Sequence, residues 1–314
     1  MPDASGDWIE LSEGPPALPA RATDGHKGTF GRVAVVGGCA PGDGGFRPLM
    51  IGAPALAGLG ALRAGAGLVR LVSPGPVLDG ALGLCPGATG IALATDESGD
   101  LTHDAGEALL EAMRASDVGV VGCGLGPGSG VEHALRTLHA DRERTLVLDA
   151  DGLNHLCDAG VWLGCADSPS DALRVLTPHP GEFARLADAL GIKGDATDDA
   201  ERPRLATDLA RATGAVVVLK GRGTVVSDGE RCWVCQRGHP CLATGGTGDV
   251  LAGVMGALLA DRSHAGDAFD RVRSAVLAHA LAGEWWARRR GASGGMLATE
   301  LTEHIPEAIE SLRG

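Results

Sequence analysis

Residues 32–38 read RVAVVGG, and residues 52–72 read GAPALAGLGALRAGAGLVRLV. The first is a β-branched run that closes on Gly37-Gly38. The second places Ala and Leu at helical spacing, stops in glycines by Gly67, and returns to an apolar run over Leu68–Val72. Strand, Gly loop, helix and strand in this order predict a βαβ unit, whose two strands run parallel because a helix must carry the chain back. The same grammar recurs along the chain. Val118–Val121 ends in Gly122-Cys123-Gly124-Leu125-Gly126, and Leu146–Leu148 ends in Asp149-Ala150-Asp151-Gly152. Arg174–Leu176 runs into Thr177-Pro178-His179-Pro180-Gly181-Glu182, and Val216–Leu219 into Lys220-Gly221. Apolar runs without polar alternation are what parallel strands buried on both faces require.

Helical patterns fill the gaps at 106–115 and 200–213, and the C-terminal part reads as helices over 249–259, 267–290 and 298–312. Thr224–Ser227 and Arg231–Cys235, joined through Asp228-Gly229, predict an antiparallel hairpin. No fixed repeat and no shift in composition marks a second core. The expected fold is a three-layer, doubly wound α/β domain with a mostly parallel sheet and helices on both faces. Residues 1–25, polar and rich in Pro, Gly and Asp, are expected to be an irregular N-terminal extension, and residues 26–314 the domain.

Composition narrows the function classes. The chain has 314 residues, 44% of them hydrophobic, enough for a large single core. Its 50 glycines are about twice the usual share and cluster at the ends of apolar runs, where backbone must turn or approach a ligand closely. A net charge of −13 and only 3% aromatic residues disfavour a nucleic acid or an anionic membrane surface as partner. Cys39, Cys85, Cys123, Cys157, Cys165, Cys232, Cys235 and Cys241 follow no regular spacing, which suits reduced thiols. The start, MPDASGDWIELSEGPP, lacks the basic-then-apolar order of a signal peptide, and no apolar run is long enough for a membrane span. A cytoplasmic protein is expected.

Ligands of open α/β sheets bind beyond the carboxyl ends of the strands, so those ends hold the candidate chemistry. The most loaded segment is Ala243-Thr244-Gly245-Gly246-Thr247-Gly248-Asp249, followed at once by the apolar helix VLAGVMGALLA. Adjacent glycines let several N–H groups converge at a helix start that already carries partial positive charge, which makes an anion hole of Gly246, Thr247 and Gly248. Asp249 at its mouth suits a base taking the proton of a hydroxyl that attacks phosphorus. Taken alone, it also reads as an N-cap on a Gly-rich turn. His179 lies between two prolines that fix the backbone, as suits a ligand contact or a turn histidine bonded to backbone. Lys220 at a strand end reads alone as a solvated terminus.

In order and content, seven segments resemble the ribokinase-like superfamily, and within it the nucleotide-dependent NAD(P)H-hydrate dehydratases. They are HKGTFGRVAVVGG (26–38), GAPALAGLGALRAGAGLV (52–69), VVGCGLG (120–126), LVLDADGLN (146–154), LTPHPGEF (176–183), VVLKGRGTVV (217–226) and ATGGTGDVLAGVMGALLA (243–260). The resemblance implies repair of hydrated NADH or NADPH: ADP or ATP phosphorylates the 6-hydroxyl, and elimination of phosphate restores the dihydropyridine. It implies Asp249 as the catalytic base and Lys220, Gly221, Arg222, Gly223, Thr224 and Gly248 at the nucleotide. It further implies Ala53, Gly126, His179 and Asp249 at the hydrate, and Mg²⁺ organised by Asp151 and Glu182. A homo-oligomer and a separate NAD(P)H-hydrate epimerase are the expected partners.

Three positions depart from the family pattern. Cys123 stands where Pro is usual, and there the backbone is expected to carry the contact. His239 stands where Asn is common, and the loop PGDGGFRPLM (41–50) is atypical. Other readings are weaker. Cys232-Trp233-Val234-Cys235 has no second Cys/His pair for zinc, Pro127 breaks the GxGxxG register, and GxxxxGK[ST] is absent. Trp285-Trp286 with Arg288–Arg290 reads as an amphipathic helix with a basic end or as a subunit interface. The rival is a ribokinase-like kinase of a small hydroxymethyl vitamin precursor, which would keep its phosphoester. A non-catalytic nucleotide-binding regulator is disfavoured by the intact Gly-rich turn and Asp249.

Overall fold

The computed structural model describes residues 8–42, 48–140, 143–159, 172–263 and 266–314. Seven strands form the parallel part of one sheet: β2 (Arg32–Val36), β3 (Leu68–Pro74), β4 (Thr89–Leu93), β5 (Val118–Val121), β6 (Thr145–Leu148), β7 (Arg174–Leu176) and β8 (Val216–Leu219). The expected hairpin is present as β9 (Val225–Ser227) and β10 (Arg231–Val234), antiparallel with Val226 opposite Trp233. Across the sheet the order is β1-β10-β9-β8-β7-β6-β5-β2-β3-β4. Here β1 is Ile9–Leu11, which lies in the stretch expected to be irregular. It runs parallel to β10, with Ile9 N–H on Glu230 O at 2.8 Å, and covers hydrogen-bonding groups that β10 would otherwise leave at an open edge.

Strand residues alternate between two cores. Val33 and Val35 enter one with α1 (Gly52–Arg63), α2 (Gly75–Leu84), α8 (Thr247–Ala260), α9 (Ala268–Arg290) and α10 (Ala298–Glu310). Ala34 and Val36 enter the other with α3 (Ala105–Arg114), α4 (Ser129–Ala140), α5 (Asp151–Ala159), α6 (Pro180–Leu190) and α7 (Arg202–Thr213). The three-layer, doubly wound architecture is therefore as expected. The winding explains the segregation: β2, β3 and β4 step one way across the sheet and β5 to β8 the other, and right-handed crossovers then put their helices on opposite faces.

The direction reverses between β2 and β5, which is the crevice where such sheets bind ligands. Gly38 N–H donates to Cys123 O across it at 2.9 Å. On one face α8 is almost entirely apolar and is buried against the sheet, with α1 and α9 packed on it. It lies so close to α1 that a Cβ on Gly253 would run into the Ala57 carbonyl.

Candidate active site

Five strand ends converge at the crevice. The turn after β5 depends on glycine, since Gly122, Gly124 and Gly126 have φ of +120°, +70° and +68°. A Cβ on Gly124 would lie 3.1 Å from the Ala53 Cβ, so the start of α1 packs directly on this turn. Leu56, one turn further along α1, backs Gly246. One helix start thus joins the turn expected to face the hydrate to the turn expected to face phosphate.

At the other end of the crevice, Lys220 follows β8 and reaches the carboxylate at the end of β6. Its Nζ lies 2.6 Å from Asp149 Oδ1 and 3.9 Å from Glu182 Oε2, and the three side chains are 18%, 3% and 5% exposed. The neighbouring carboxylates hold the lysine charged and push its pKa up, against the opposing cost of burial. Burial pushes the Glu182 carboxyl up, with Lys220 opposing. Gly248 sits beside the pair: a Cβ there would lie 3.5 Å from Lys220 Nζ and 3.8 Å from Asp149 Oδ2. Gly248, Lys220 and Asp149 therefore share one spot.

Asp249, in the first turn of α8, is half-buried, and burial together with the Asp149 charge raises its pKa from 3.8 to about 7. The Cys123 thiol hydrogen-bonds to it and opposes that rise. Burial and the flanking Asp249 and Asp149 push the thiol pKa up, so Cys123 is a neutral donor. The Cys123 side chain thus lies against the candidate base, a contact additional to the backbone one expected at this position. Cys123, Asp149 and Asp249 offer ligand atoms within 4.8 Å of one another, the one such His/Cys/Asp/Glu group among the described residues. Lys220 already neutralises Asp149 there.

His179 is the N-cap of α6. Its Nδ1 accepts from Gly181 N–H at 3.0 Å and Glu182 N–H at 3.2 Å, while Glu182 Oε2 accepts from His179 N–H at 2.8 Å. This reciprocal capping box realises the backbone-bonded reading, with the ring still half exposed and able to face a ligand. Asp151 accepts from Gly126 N–H at 2.8 Å and from Asn154 Nδ2 at 3.3 Å. The two carboxylates expected around Mg²⁺ thus already accept from internal donors, with acceptor capacity left on each. Gly221, Arg222, Gly223 and Thr224 form the turn after Lys220, with φ of +146° at Gly221 and +62° at Gly223.

Three supporting residues escaped the sequence reading. Arg202, buried on α7, donates to Leu219 O at 2.8 Å and Ala196 O at 2.9 Å, bracing the Lys220 turn. His155 on α5 bonds Gly126 O, and His279 on α9 bonds Thr247 O. A lone His or Arg has no local signature, and the partners Leu219, Gly126 and Thr247 are 17 to 32 residues away in sequence. His239 caps the short 3-10 turn Pro240–Leu242 that leads into the Gly-rich segment. Of the loop 41–50, residues 43–47 lie outside the described residues, as does Cys165. Cys232 and Cys235 enter opposite cores, which dismantles the CxxC as a metal site. Trp286 is a core residue, and Arg290 pairs with Glu300 at 2.8 Å.

A doubly wound sheet with a Gly-rich helix start at its switch point, a cation beside the start and a carboxylate in its first turn defines the ribokinase-like class. A solved ribokinase-like superfamily protein from Enterococcus faecalis shares the fold, with a TM-score of 0.75 at 22% identity over 98% of this chain and 96% of that one. The NAD(P)H-hydrate dehydratase family model matches residues 35–307, and the chain belongs to that family. It is 34% identical over 304 residues to the bifunctional NAD(P)H-hydrate repair enzyme of Thermofilum pendens, covering 95% of this chain and 53% of that protein. The chain therefore spans about half the length of the curated relatives it matches. The ADP/ATP-dependent NAD(P)H-hydrate dehydratase of Bacillus subtilis, co-crystallized with ATP/Mg²⁺, superimposes with a TM-score of 0.75 at 27% identity, covering 96% of this chain and 100% of that one.

Proposed function

We propose that the protein dehydrates the hydrate of NADH or NADPH at the expense of ADP or ATP, with Asp249 as the base. The observation that carries this reading is the meeting of Asp249, Gly248, Lys220 and Asp149 at one spot of the switch-point crevice. Hydroxide is a poor leaving group near neutral pH, and phosphorylation converts the hydrate's hydroxyl into a good one.

In the first step the 6-hydroxyl oxygen attacks the terminal phosphorus of the nucleotide, its proton passes to the Asp249 carboxylate, and the bond to the nucleotide's bridging oxygen breaks. The N–H groups of Gly246, Thr247 and Gly248 stabilise charge on the transferred phosphoryl oxygens without having to reorganise. In the second step the C–O bond breaks, phosphate leaves with the electron pair, and the proton on the adjacent ring carbon passes to water as its bonding pair forms the restored double bond. Lys220, Gly221, Arg222, Gly223 and Thr224 line the nucleotide side; Ala53, Gly126 and His179 line the hydrate side. Asp151 and Glu182 are the carboxylates that would organise Mg²⁺ and its waters beside the nucleotide phosphates, where the ion would neutralise charge.

The test incubates the protein with acid-hydrated NADH, Mg²⁺ and ADP or ATP, and follows the near-ultraviolet absorbance of the reduced nicotinamide together with inorganic phosphate. Nucleotide-dependent recovery with matching phosphate release is expected. A stable phosphoester and no recovered absorbance would favour the kinase reading instead.

A further inference from the structure

Two buried histidines stand behind the two ligand-facing turns, on helices packed against opposite faces of the sheet. His155 on α5 is 9% exposed, and its Nε2 lies 2.8 Å from Gly126 O. A carbonyl only accepts, so Nε2 carries the proton. The Gly126 N–H is taken by Asp151 Oδ2 at 2.8 Å, and a Cβ at Gly126 would lie 3.0 Å from Cys39 Sγ. Gly126 is thus fixed from behind at both of its polar atoms, and its Cα surface is what it can offer a ligand. His279 on α9 makes the matching contact to Thr247 O at 2.9 Å. Burial pushes its pKa down to about 4, so it is a neutral donor. The Thr247 hydroxyl is spent on Leu242 O and Thr244 O at 2.8 and 2.9 Å, which closes the Gly-rich turn from the other side.

We infer that His155 and His279 are positioning residues that divide the site: His155 sets the hydrate-facing Gly126 turn and His279 sets the phosphate-facing Gly246–Gly248 turn. This rests on the assignment of those turns under the proposed function. Neither histidine exchanges a proton with substrate. Each braces a carbonyl from behind, the Thr247 one in addition to its bond within α8, and loss of that brace would let the turn drift; small displacements of positioning groups are expensive in catalysis. Because the two helices lie on opposite faces and share neither turn, the two losses are separable.

The experiment compares His155→Leu, His155→Asn, His279→Leu and His279→Asn with the two His→Gln variants, whose amide keeps an N–H near the Nε2 position. Steady-state kinetics on hydrated NADH is paired with calorimetric binding of ADP or ATP with Mg²⁺ in the absence of hydrate. Removing the His155 donor is expected to raise the hydrate KM about tenfold while nucleotide Kd stays within about twofold, as suits one buried partner left unpaired. Removing the His279 donor is expected to weaken nucleotide binding about tenfold with little change in hydrate KM, and Gln is expected to restore most of either loss. Should the Leu variants fail to fold, the shorter, polar Asn variants carry the comparison. Equal loss for both ligands in every variant, tracking only a lowered Tm, would overturn the division of labour, as would wild-type constants throughout. If wild type recovers no NADH, the proposed function falls, yet the nucleotide-binding arm still reports on His279.

Discussion

At the scale of single residues, Asp249 has the most to explain. Its carboxyl holds a proton up to about pH 7 in the folded chain, against 3.8 for the free side chain. Between those values the folded state binds more protons than the unfolded one, so stability from this group is full below 3.8, declines as pH rises, and levels off above about 7. Asp249→Asn has no such proton to lose. It is expected to be more stable than wild type near pH 8, by at most about 4 kcal/mol from linkage, with the gap closing toward about pH 4, as read from urea midpoints. The same variant is expected to lose turnover while retaining nucleotide binding, and wild-type kcat/KM is expected to rise with pH through about 7 as the base of the free enzyme deprotonates. Lys220→Met presents the opposite case, since it leaves Asp149 and Glu182 buried without their cation. A loss of about 3–5 kcal/mol in thermal or urea unfolding is expected, with partial recovery when Asp149→Asn is added. Asp249 and the anion hole were legible because glycines, Asp and an apolar helix are contiguous. Cys123 was legible only as a departure, because that its thiol turns toward Asp249 depends on how the Gly122–Gly126 turn is folded.

At the scale of elements, close packing decides which glycines can change. On α8 a Cβ at Gly253 would strike the Ala57 carbonyl, whereas on α2 a Cβ at Gly83 meets nothing within 4 Å. Gly253→Ala is expected to cost about 1–3 kcal/mol by forcing α1 and α8 apart. Gly83→Ala is expected to gain about 0.5–1 kcal/mol from helix propensity. Urea unfolding of the two variants reads the opposite signs of one chemical change. Helix α8 and strands β2, β5 and β8 were readable from apolar runs that end in glycine. By contrast, α2 is broken up by Gly and Pro, and the edge strand β4 contains Gly90 and exposes three of its five residues. Neither carries a clean period. The three residues of β1 have no pattern of their own, and their pairing is fixed by the open edge of β10, which the local sequence does not announce.

At the scale of the molecule, a chain of net charge −13 would, under the proposed function, receive anionic ligands at one crevice. There Lys220 offsets Asp149, and backbone amides at a helix start would supply the positive potential, so the overall charge disfavours nucleic acid without opposing a nucleotide. The winding of the sheet brings residues from 53 to 249 to that crevice, and this was legible from the order of strand ends before any distance was known. Hydrogen exchange is expected to show two separate footprints, with nucleotide protecting 220–224 and 244–249 and hydrate protecting 122–128. A footprint common to both ligands would contradict the two-sided crevice.

The central claim is that the hydrate's own oxygen leaves as part of phosphate. It is tested most directly by labelling the 6-hydroxyl of hydrated NADH with heavy oxygen, adding nucleotide and the protein, and analysing the released phosphate by mass spectrometry. Phosphorylation followed by elimination predicts that the label appears in inorganic phosphate, one atom for each nicotinamide restored. Label recovered in water, with unlabelled phosphate, would mean that the hydroxyl is never phosphorylated and would contradict the account.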